Sequence, residues 1–167
     1  APVGGAGLGS GVVDIVAGAQ HTCALTTAGG VKCWGSNSGG QLGDGTLTTQ
    51  PTPVDVVGLT SGVVGLTAGR YHTCAVTAQA GLKCWGWNGD GQLGDGTFRE
   101  RSLADDVTGL TNNAASVSAG GYHTCAVTIG GGIECWGYNG YGALGDGTAT
   151  GRFTPGAIRF GQAISFI

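Results

Sequence analysis

The three histidines of the chain are the side chains best suited to act as a general base near neutral pH. His21, His72 and His123 stand in the same local sequence, each 51 positions from the next. A catalytic centre needs one constellation of different groups and usually breaks internal symmetry, which these residues keep. We therefore predict that each histidine starts a strand and hydrogen-bonds a neighbouring loop. The chain is predicted not to be an enzyme and to have no catalytic residue.

The six cysteines could form disulfides or bind a metal ion. They fall in pairs ten residues apart, at the same place in each repeat, and the pairs are Cys23–Cys33, Cys74–Cys84 and Cys125–Cys135. This repetition favours one disulfide within each unit. His21, Cys23 and Cys33 could instead hold zinc, but structural zinc prefers four ligands with more closely spaced cysteines. Disulfides persist in oxidising compartments, so we predict an extracellular or periplasmic protein.

An Asp-Gly pair recurs in each repeat and could belong to a calcium loop. The aspartates are Asp44, Asp95 and Asp146. Asn88, Asp90 and Asp95 come closest to a ligand set, but a calcium loop of the EF-hand type places several acids at alternate positions. Asp-Gly is also a common turn sequence. We therefore predict no metal and no cofactor, with calcium as the alternative for these loops.

Composition argues against two classes of partner. Charged residues make up 10% of the chain, whereas typical soluble domains contain about 25%. The net charge is -3 and there is no run of Lys or Arg. Nucleic-acid-binding proteins carry a basic patch or stripe, so we predict no nucleic-acid partner. No apolar run approaches the ~20 residues that span a bilayer, so we predict no membrane span.

A β-hairpin in each repeat would position the histidine and the cysteines. If Cys23 lies opposite Cys33, then Leu25 lies opposite Val31, and a loop over residues 27–29 joins the strands. Directly opposed residues of antiparallel strands are close enough for a disulfide. The cysteine pair therefore predicts both the register of the hairpin and its covalent bond.

Short apolar segments flank each hairpin. In the first repeat, residues 12–16 precede it, and Val54, Val56 and Val57 follow it. Short apolar runs bounded by glycine suit a strand better than a helix. Each repeat therefore predicts four short strands joined by glycine turns, which is the pattern of a β-propeller blade.

The repeated motif resembles a known family. It reads Ala17-Gly18-x-x-His21-x-Cys23-Ala24-Leu25-Thr26, followed by Cys33-Trp34-Gly35-x-Asn37-x-x-Gly40-Gln41-Leu42-Gly43. This is similar to the regulator-of-chromosome-condensation repeat, and the resemblance extends three times over essentially the whole chain. It implies one propeller blade per repeat and, usually, seven blades in a ring. The chain departs from the family pattern in its added cysteine pairs, typical of secreted members, and in having only three repeats.

We predict an all-β fold in one repeat domain that spans residues 1–167. The repeats cover residues 10–60, 61–113 and 114–162, each as a four-stranded antiparallel blade, and residues 163–167 form an extra strand. Three blades cannot close a propeller, so it would be completed by missing repeats or by self-association into a ring or filament. The predicted assembly residues are Val12, Val13, Ile15, Ile164, Phe166 and Ile167.

A binding face is predicted where the repeats differ from one another. Aromatic and arginine side chains, the usual hot-spot types, occur there at the ends of the hairpins. The predicted face consists of Gln20, Arg70, Tyr71, Tyr122, Trp87, Tyr138 and Tyr141. Packing between blades or subunits is the alternative role for these residues.

The function predicted from these features is a non-catalytic extracellular module for protein interaction or self-assembly. The alternative is a structural subunit of an extracellular filament or surface layer, built by head-to-tail stacking of blades. The family resemblance also implies an inhibitor or an exchange factor for a small GTPase. The exchange-factor role is nuclear and cytoplasmic and conflicts with the predicted disulfides.

Overall fold

The computed structural model describes Leu8 and residues 10–159, and in this range the chain forms twelve β-strands and no helix. The strands are β1 (Val12–Ala17), β2 (His21–Thr26), β3 (Val31–Gly35), β4 (Gln50–Asp55), β5 (Val63–Ala68), β6 (His72–Thr77), β7 (Leu82–Gly86), β8 (Arg101–Asp106), β9 (Ala114–Ala119), β10 (His123–Thr128), β11 (Ile133–Gly137) and β12 (Arg152–Ile158). The described part of the chain therefore contains no helix able to cross a membrane. The predicted extra strand, with Ile164, Phe166 and Ile167, lies outside the described residues.

Consecutive strands form three four-stranded antiparallel sheets. Blade one contains β1 to β4, blade two contains β5 to β8, and blade three contains β9 to β12. The predicted all-β architecture of four-stranded blades is confirmed. Over the described residues the blades form an open arc and not a closed ring.

The central hairpin of each blade has the predicted register. Cys23 pairs with Cys33 and Leu25 with Val31, and blades two and three repeat these pairs. The fourth strand differs from the prediction, because β4 starts at Gln50 and ends before Val56. It contains two prolines, which cannot donate a backbone hydrogen bond, and it accordingly lies at the edge of its sheet.

Each predicted cysteine pair forms a disulfide, and no free cysteine occurs among the described residues. The bonds join the two middle strands of each blade, with Cα atoms 4.1 Å apart. Since the sulfur atoms are bonded to each other, no thiolate remains for the alternative zinc site of His21, Cys23 and Cys33.

The apolar core lies between adjacent blades. Leu25 and Val31 of blade one belong to the same buried cluster as Leu66 and Trp85 of blade two. A second cluster joins blade two to blade three in the same way. Because each cluster takes residues from two sheets, a blade is stabilised by its neighbours.

Equivalent positions identify the blade faces that lack a neighbour in the described range. Leu66 of blade two is 8% exposed, whereas its equivalent Ile15 in blade one is 60% exposed. At the other end, Val76 is 2% exposed and its equivalent Val127 in blade three is 37% exposed. The outward faces of blades one and three therefore carry apolar side chains that a further blade would bury.

Candidate functional site

The histidine side chains join neighbouring blades. Nε2 of His21 lies 2.9 Å from Oγ1 of Thr73 in blade two, and His72 makes the same contact with Thr124 of blade three at 2.9 Å. Oγ1 of Thr73 donates its proton to the carbonyl O of Gln41 at 2.9 Å. Nε2 of His21 must therefore be the donor to Thr73. The contact gives the histidine a structural role, with a strand of the next blade and not a loop as its partner.

Burial holds two of these histidines in the neutral form. It lowers the pKa of His21 to about 4. Burial also lowers the pKa of His72 to about 3, with smaller contributions from the charges of the other two histidines. Nδ1 of both rings has no hydrogen-bond partner among the described residues, so a second proton would find no acceptor. Both side chains are buried, which leaves them without access to a substrate.

The glycine three residues before each histidine leaves space for the imidazole ring. A Cβ atom on Gly69 would overlap Cε1 and Nδ1 of His72, and the same holds for Gly18 and His21. A larger residue would push the ring out of line with the threonine of the next blade. This packing explains the spacing of glycine and histidine in the Ala-Gly-x-x-His motif.

The repeated tryptophans make a second contact between blades. Nε1 of Trp85 donates to the carbonyl O of Gln41 at 3.0 Å, and Trp136 donates to Gln92 at 2.9 Å. Both indoles are fully buried. Each tryptophan thus extends from its own hairpin into the loop of the preceding blade.

The asparagine and aspartate after each hairpin hold their own loop together. Nδ2 of Asn37 donates to Oδ1 of Asp44 at 3.0 Å, and Oδ1 of Asn37 accepts from N of Leu42 at 3.0 Å. Asp44 also accepts from N of Thr46 at 2.9 Å. Burial alone would raise the pKa of Asp44, but the hydrogen bonds outweigh it and lower the pKa. The carboxylate therefore stabilises its own turn as a hydrogen-bond acceptor.

Arginines neutralise the equivalent aspartates in the other two blades. Arg101 lies 2.7 Å from Asp95, and Arg152 lies 2.6 Å from Asp146. A calcium ion at either loop would have to displace this arginine from the carboxylate. The calcium alternative gains no support from these contacts.

The predicted binding-face aromatics lie at one end of the blades. Tyr71 precedes β6 and Trp87 follows β7, whose ends are adjacent in the hairpin. N of Trp87 donates to the carbonyl O of Tyr71 at 2.9 Å, and N of Tyr138 donates to that of Tyr122 at 2.8 Å. The hairpin register therefore places the two aromatic positions of each blade side by side.

Three of these aromatics line one cleft of about 650 Å³, which is large enough for a small ligand or a peptide side chain. They are Tyr71, Trp87 and Tyr122. The other lining residues are Ser38, Gly39, Gln41, Asp90 and Glu100. Residues from all three blades thus meet in a cleft whose wall is aromatic and acidic.

Arg70 lies beside the same tyrosines without lining this cleft. Its Cζ is 5.4 Å from the ring centroid of Tyr71 and 5.5 Å from that of Tyr122, and the two centroids are 6.4 Å apart. A hydrogen bond with Tyr71 and the nearby tyrosine oxygens raise the pKa of Arg70. Arg70 lines a separate shallow concavity with the Ala-Gly segments of the three blades.

A second cleft of about 410 Å³ adjoins the first. Tyr122 and Asp90 line both, and Tyr138 and Tyr141 line the second. The rings of Tyr138 and Tyr141 are 6.1 Å apart, and Tyr141 is 93% exposed. The structure thus brings the predicted aromatics together, whereas Gln20 lines neither cleft.

The acidic residues of the first cleft were not predicted as binding residues. The sequence presents Asp90 as an alternative calcium ligand, and it presents Glu100 only as part of the charged cluster Arg99-Glu100-Arg101 with Asp105-Asp106. One signal was available, since Gly39, Asp90 and Tyr141 occupy the same position of the three repeats. Glu100 offers no such signal, because its place in the cleft depends on how the blades stack.

Comparison with known proteins identifies the repeat. The profile of the regulator of chromosome condensation (RCC1) repeat matches residues 12–41, 63–92 and 114–143, and a second profile of the same repeat matches residues 28–76 and 84–127. The ultraviolet-B receptor UVR8 of Arabidopsis thaliana is 33% identical over 147 residues, a match that covers 86% of this chain and 33% of that protein.

Solved structures share the same blades. Yeast RCC1 (Prp20), solved with Kap60 bound, has a TM-score of 0.74 and 26% identity, over 89% of this chain and 37% of that chain. The ectodomain of the receptor kinase CR4 of Physcomitrella patens has a TM-score of 0.56 and 29% identity, over 86% of this chain and 34% of that chain. The chain thus spans about a third of the length of these relatives. With three matching repeats and three β-propeller blades, it belongs to the regulator of chromosome condensation (RCC1) repeat family.

Proposed function

We propose that this chain is a non-catalytic module that binds a partner protein through one end of its blades. The surface concerned, called the aromatic face below, consists of Arg70, Tyr71, Trp87, Tyr122, Tyr138 and Tyr141. The observation that carries the proposal is that Tyr71, Trp87 and Tyr122 line one cleft, although they come from two blades.

The residue types of this face support protein binding. Tyrosine, tryptophan and arginine dominate the energetic centres of protein interfaces, and Trp87 is 39% exposed. Contacts within and between the blades in contrast occupy His21, His72, Trp85, Trp136 and the three repeated aspartates. Yeast RCC1, a relative with the same blades, has been solved in complex with a protein, Kap60.

The test is to remove the aromatic face and measure partner binding. Immobilised chain is used to isolate partners from the extracellular fluid of the source organism, and each partner is then purified and titrated against the chain. The triple variant Tyr71→Ala, Trp87→Ala, Tyr122→Ala should lose at least tenfold in affinity, because a hot-spot side chain contributes about 2 kcal/mol or more.

A matched control replaces exposed apolar residues away from both clefts. The variant Val13→Ala, Val64→Ala, Ile129→Ala removes exposed side chains that line neither cleft. It should bind as the wild type does. Undiminished binding by the aromatic triple variant, with an unchanged circular dichroism spectrum, would refute the proposed face.

The proposed location of the module is extracellular or periplasmic. Three disulfides among the described residues support it, because such bonds persist in oxidising compartments. The similarity to the CR4 ectodomain agrees with it. Alkylation of the unreduced protein from its source, followed by intact-mass measurement, should find no free thiol, and six alkylated cysteines would contradict the proposal.

A second candidate function is self-association by head-to-tail stacking of blades into a ring, filament or surface layer. Thr22 and Trp34 of blade one are only half-buried, whereas Thr73 and Trp85, their equivalents in blade two, are buried by the preceding blade. At the other end, His123 is half-buried and has no following blade among the described residues. A second copy would let His123 meet Thr22 just as His21 meets Thr73.

Position 15 offers a sharp test of this stacking. Ile15 is exposed where its equivalent is buried between blades, so Ile15→Glu should prevent association. Val13 serves as the control: its equivalent Val64 is 62% exposed although blade two has a neighbour on each side, so we no longer expect Val13 at the interface. Sedimentation should show assemblies for the wild type and Val13→Glu, and monomers for Ile15→Glu. Only monomers of the wild type at every concentration would exclude this candidate.

A further inference from the structure

We propose that the cleft lined by Tyr71, Trp87 and Tyr122 recognises an extended peptide segment that carries lysine or arginine. This inference rests on the proposed function and names the ligand class of the same face. It follows from the charge of the cleft, from the geometry of its aromatic rings and from the adjoining second cleft.

The charge of the cleft favours a cation. Asp90 and Glu100 line it, and no lysine, arginine or histidine among the described residues does. Glu100 is exposed and has no ion-pair partner within 4 Å among the described residues, so its charge is available to a ligand. A lysine ammonium or an arginine guanidinium can form charge-assisted hydrogen bonds with such carboxylates.

The aromatic rings suit a cation as well. The face of an aromatic ring attracts an ammonium or guanidinium group within about 6 Å of its centroid, and tryptophan is the strongest of the three types. Arg70 already makes this contact with Tyr71 at 5.4 Å and with Tyr122 at 5.5 Å, from the neighbouring concavity. The same rings therefore bind a guanidinium in this protein, and Trp87 is exposed beside them.

The two adjoining clefts favour an extended peptide over a single small cation. They share Asp90 and Tyr122, so a chain leaving the first cleft enters the second, where Tyr138 and Tyr141 offer another pair of rings.

The test is a titration of the full chain with three blocked pentapeptides, and nuclear magnetic resonance monitors binding. Their sequences are Gly-Lys-Gly-Lys-Gly, Gly-Gln-Gly-Gln-Gly and Gly-Glu-Gly-Glu-Gly, and tetramethylammonium is the small-cation comparison. The lysine peptide should bind at least tenfold more tightly than the others. The largest chemical-shift changes that it causes in the protein should occur at Trp87 and the cleft tyrosines. Preference for the glutamate peptide overturns the proposal, and equal affinity for tetramethylammonium overturns its peptide part.

Charge-matched variants separate recognition from general attraction. Asp90→Asn with Glu100→Gln should weaken binding of the lysine peptide about tenfold, as expected for two partly exposed ion pairs. Asp14→Asn with Glu134→Gln removes the same charge outside the clefts and should leave binding unchanged. Equal losses in both double variants overturn the proposal. Arg70→Ala should tighten binding, because it removes a positive charge that lies 5.4 Å from the ring centroid of Tyr71 and 5.5 Å from that of Tyr122.

The results also separate this inference from the function on which it rests. If the aromatic triple variant loses its purified partner but no lysine peptide binds the wild type, then the ligand class is wrong and the protein-binding function stands. If the lysine peptide binds and the triple variant keeps its partner, then the face proposed for protein binding is wrong.

Discussion

Acidification should destabilise the fold through two buried histidines. His21 and His72 are neutral in the folded protein, with the pKa lowered by burial from 6.5 to about 4 and about 3 respectively. In the unfolded chain both side chains titrate near 6.5. Between these values the unfolded state binds more protons than the folded state, so the free energy of unfolding falls as the pH falls below 6.5.

The size of the effect follows from the two pKa values. Lowering the pH from about 7.5 to about 5 should cost about 2 kcal/mol for each histidine, or about 4 kcal/mol for both. This is a large part of the 5–15 kcal/mol, roughly, that stabilises a natural domain. The carboxylates affect the free energy of unfolding in a different pH range. The pKa of Asp44 and that of Asp95 are lowered in the folded protein, so their contribution is lost only below about pH 4.

Urea unfolding followed by tryptophan fluorescence at several pH values measures this loss. In His72→Gln, the carboxamide can still donate to Thr124 but does not titrate, so the loss between about pH 7.5 and about pH 5 should fall to about 2 kcal/mol. His123→Gln is the control: His123 is half-buried, so its replacement should reduce the loss less. A wild-type stability that is constant over this range would refute the reasoning, as would an unchanged loss in His72→Gln.

Two further predictions concern the backbone and the disulfides. Gly94 has φ +70°, and a Cβ atom there would lie 2.6 Å from Nε1 of Trp136. Gly109 has a similar φ of +79° but open space around it. Gly94→Ala should therefore lower the free energy of unfolding by more than Gly109→Ala does. Midpoints of urea unfolding measure both losses, and the reverse order would contradict this reasoning. Replacing Cys74 and Cys84 by alanine opens a loop of ten residues and should cost about 2.5–3 kcal/mol in urea unfolding; a loss below about 0.5 kcal/mol would contradict the chain-entropy account.

The sequence predicts the features that repetition and local geometry determine. The spacing of Cys23 and Cys33 fixes the hairpin register, and the repeat length indicates four strands in each blade. Val54, Val56 and Val57 predict a fourth strand that begins too late, because β4 also contains Pro51 and Pro53. An edge strand tolerates them, since one side of it forms no ladder.

Features that depend on the stacking of blades were beyond sequence reasoning. The contact of His21 with Thr73 joins residues 52 positions apart, and a repeat pattern alone does not reveal which element of the next blade faces the ring. The same limit applies to Glu100, which precedes β8 and yet shares a cleft with Tyr122 of blade three. Local asymmetry points to the aromatic residues that line the two clefts but not to Glu100, which lines the first cleft with them.

The division between repeated and variable positions has a physical cause. A residue that contacts the next blade must satisfy the same partner in every repeat, so its type is fixed by the stacking itself. Positions at the ends of the hairpins contact the next blade through backbone atoms or through side chains such as Tyr71 and Tyr122, and their residue types can differ. At one such position, directly after the central hairpin, the residue is Ser36 in blade one, Trp87 in blade two and Tyr138 in blade three. Blade one lines the first cleft with Ser38, Gly39 and Gln41, whereas blades two and three line it with aromatic side chains, so three nearly identical units form one asymmetric surface.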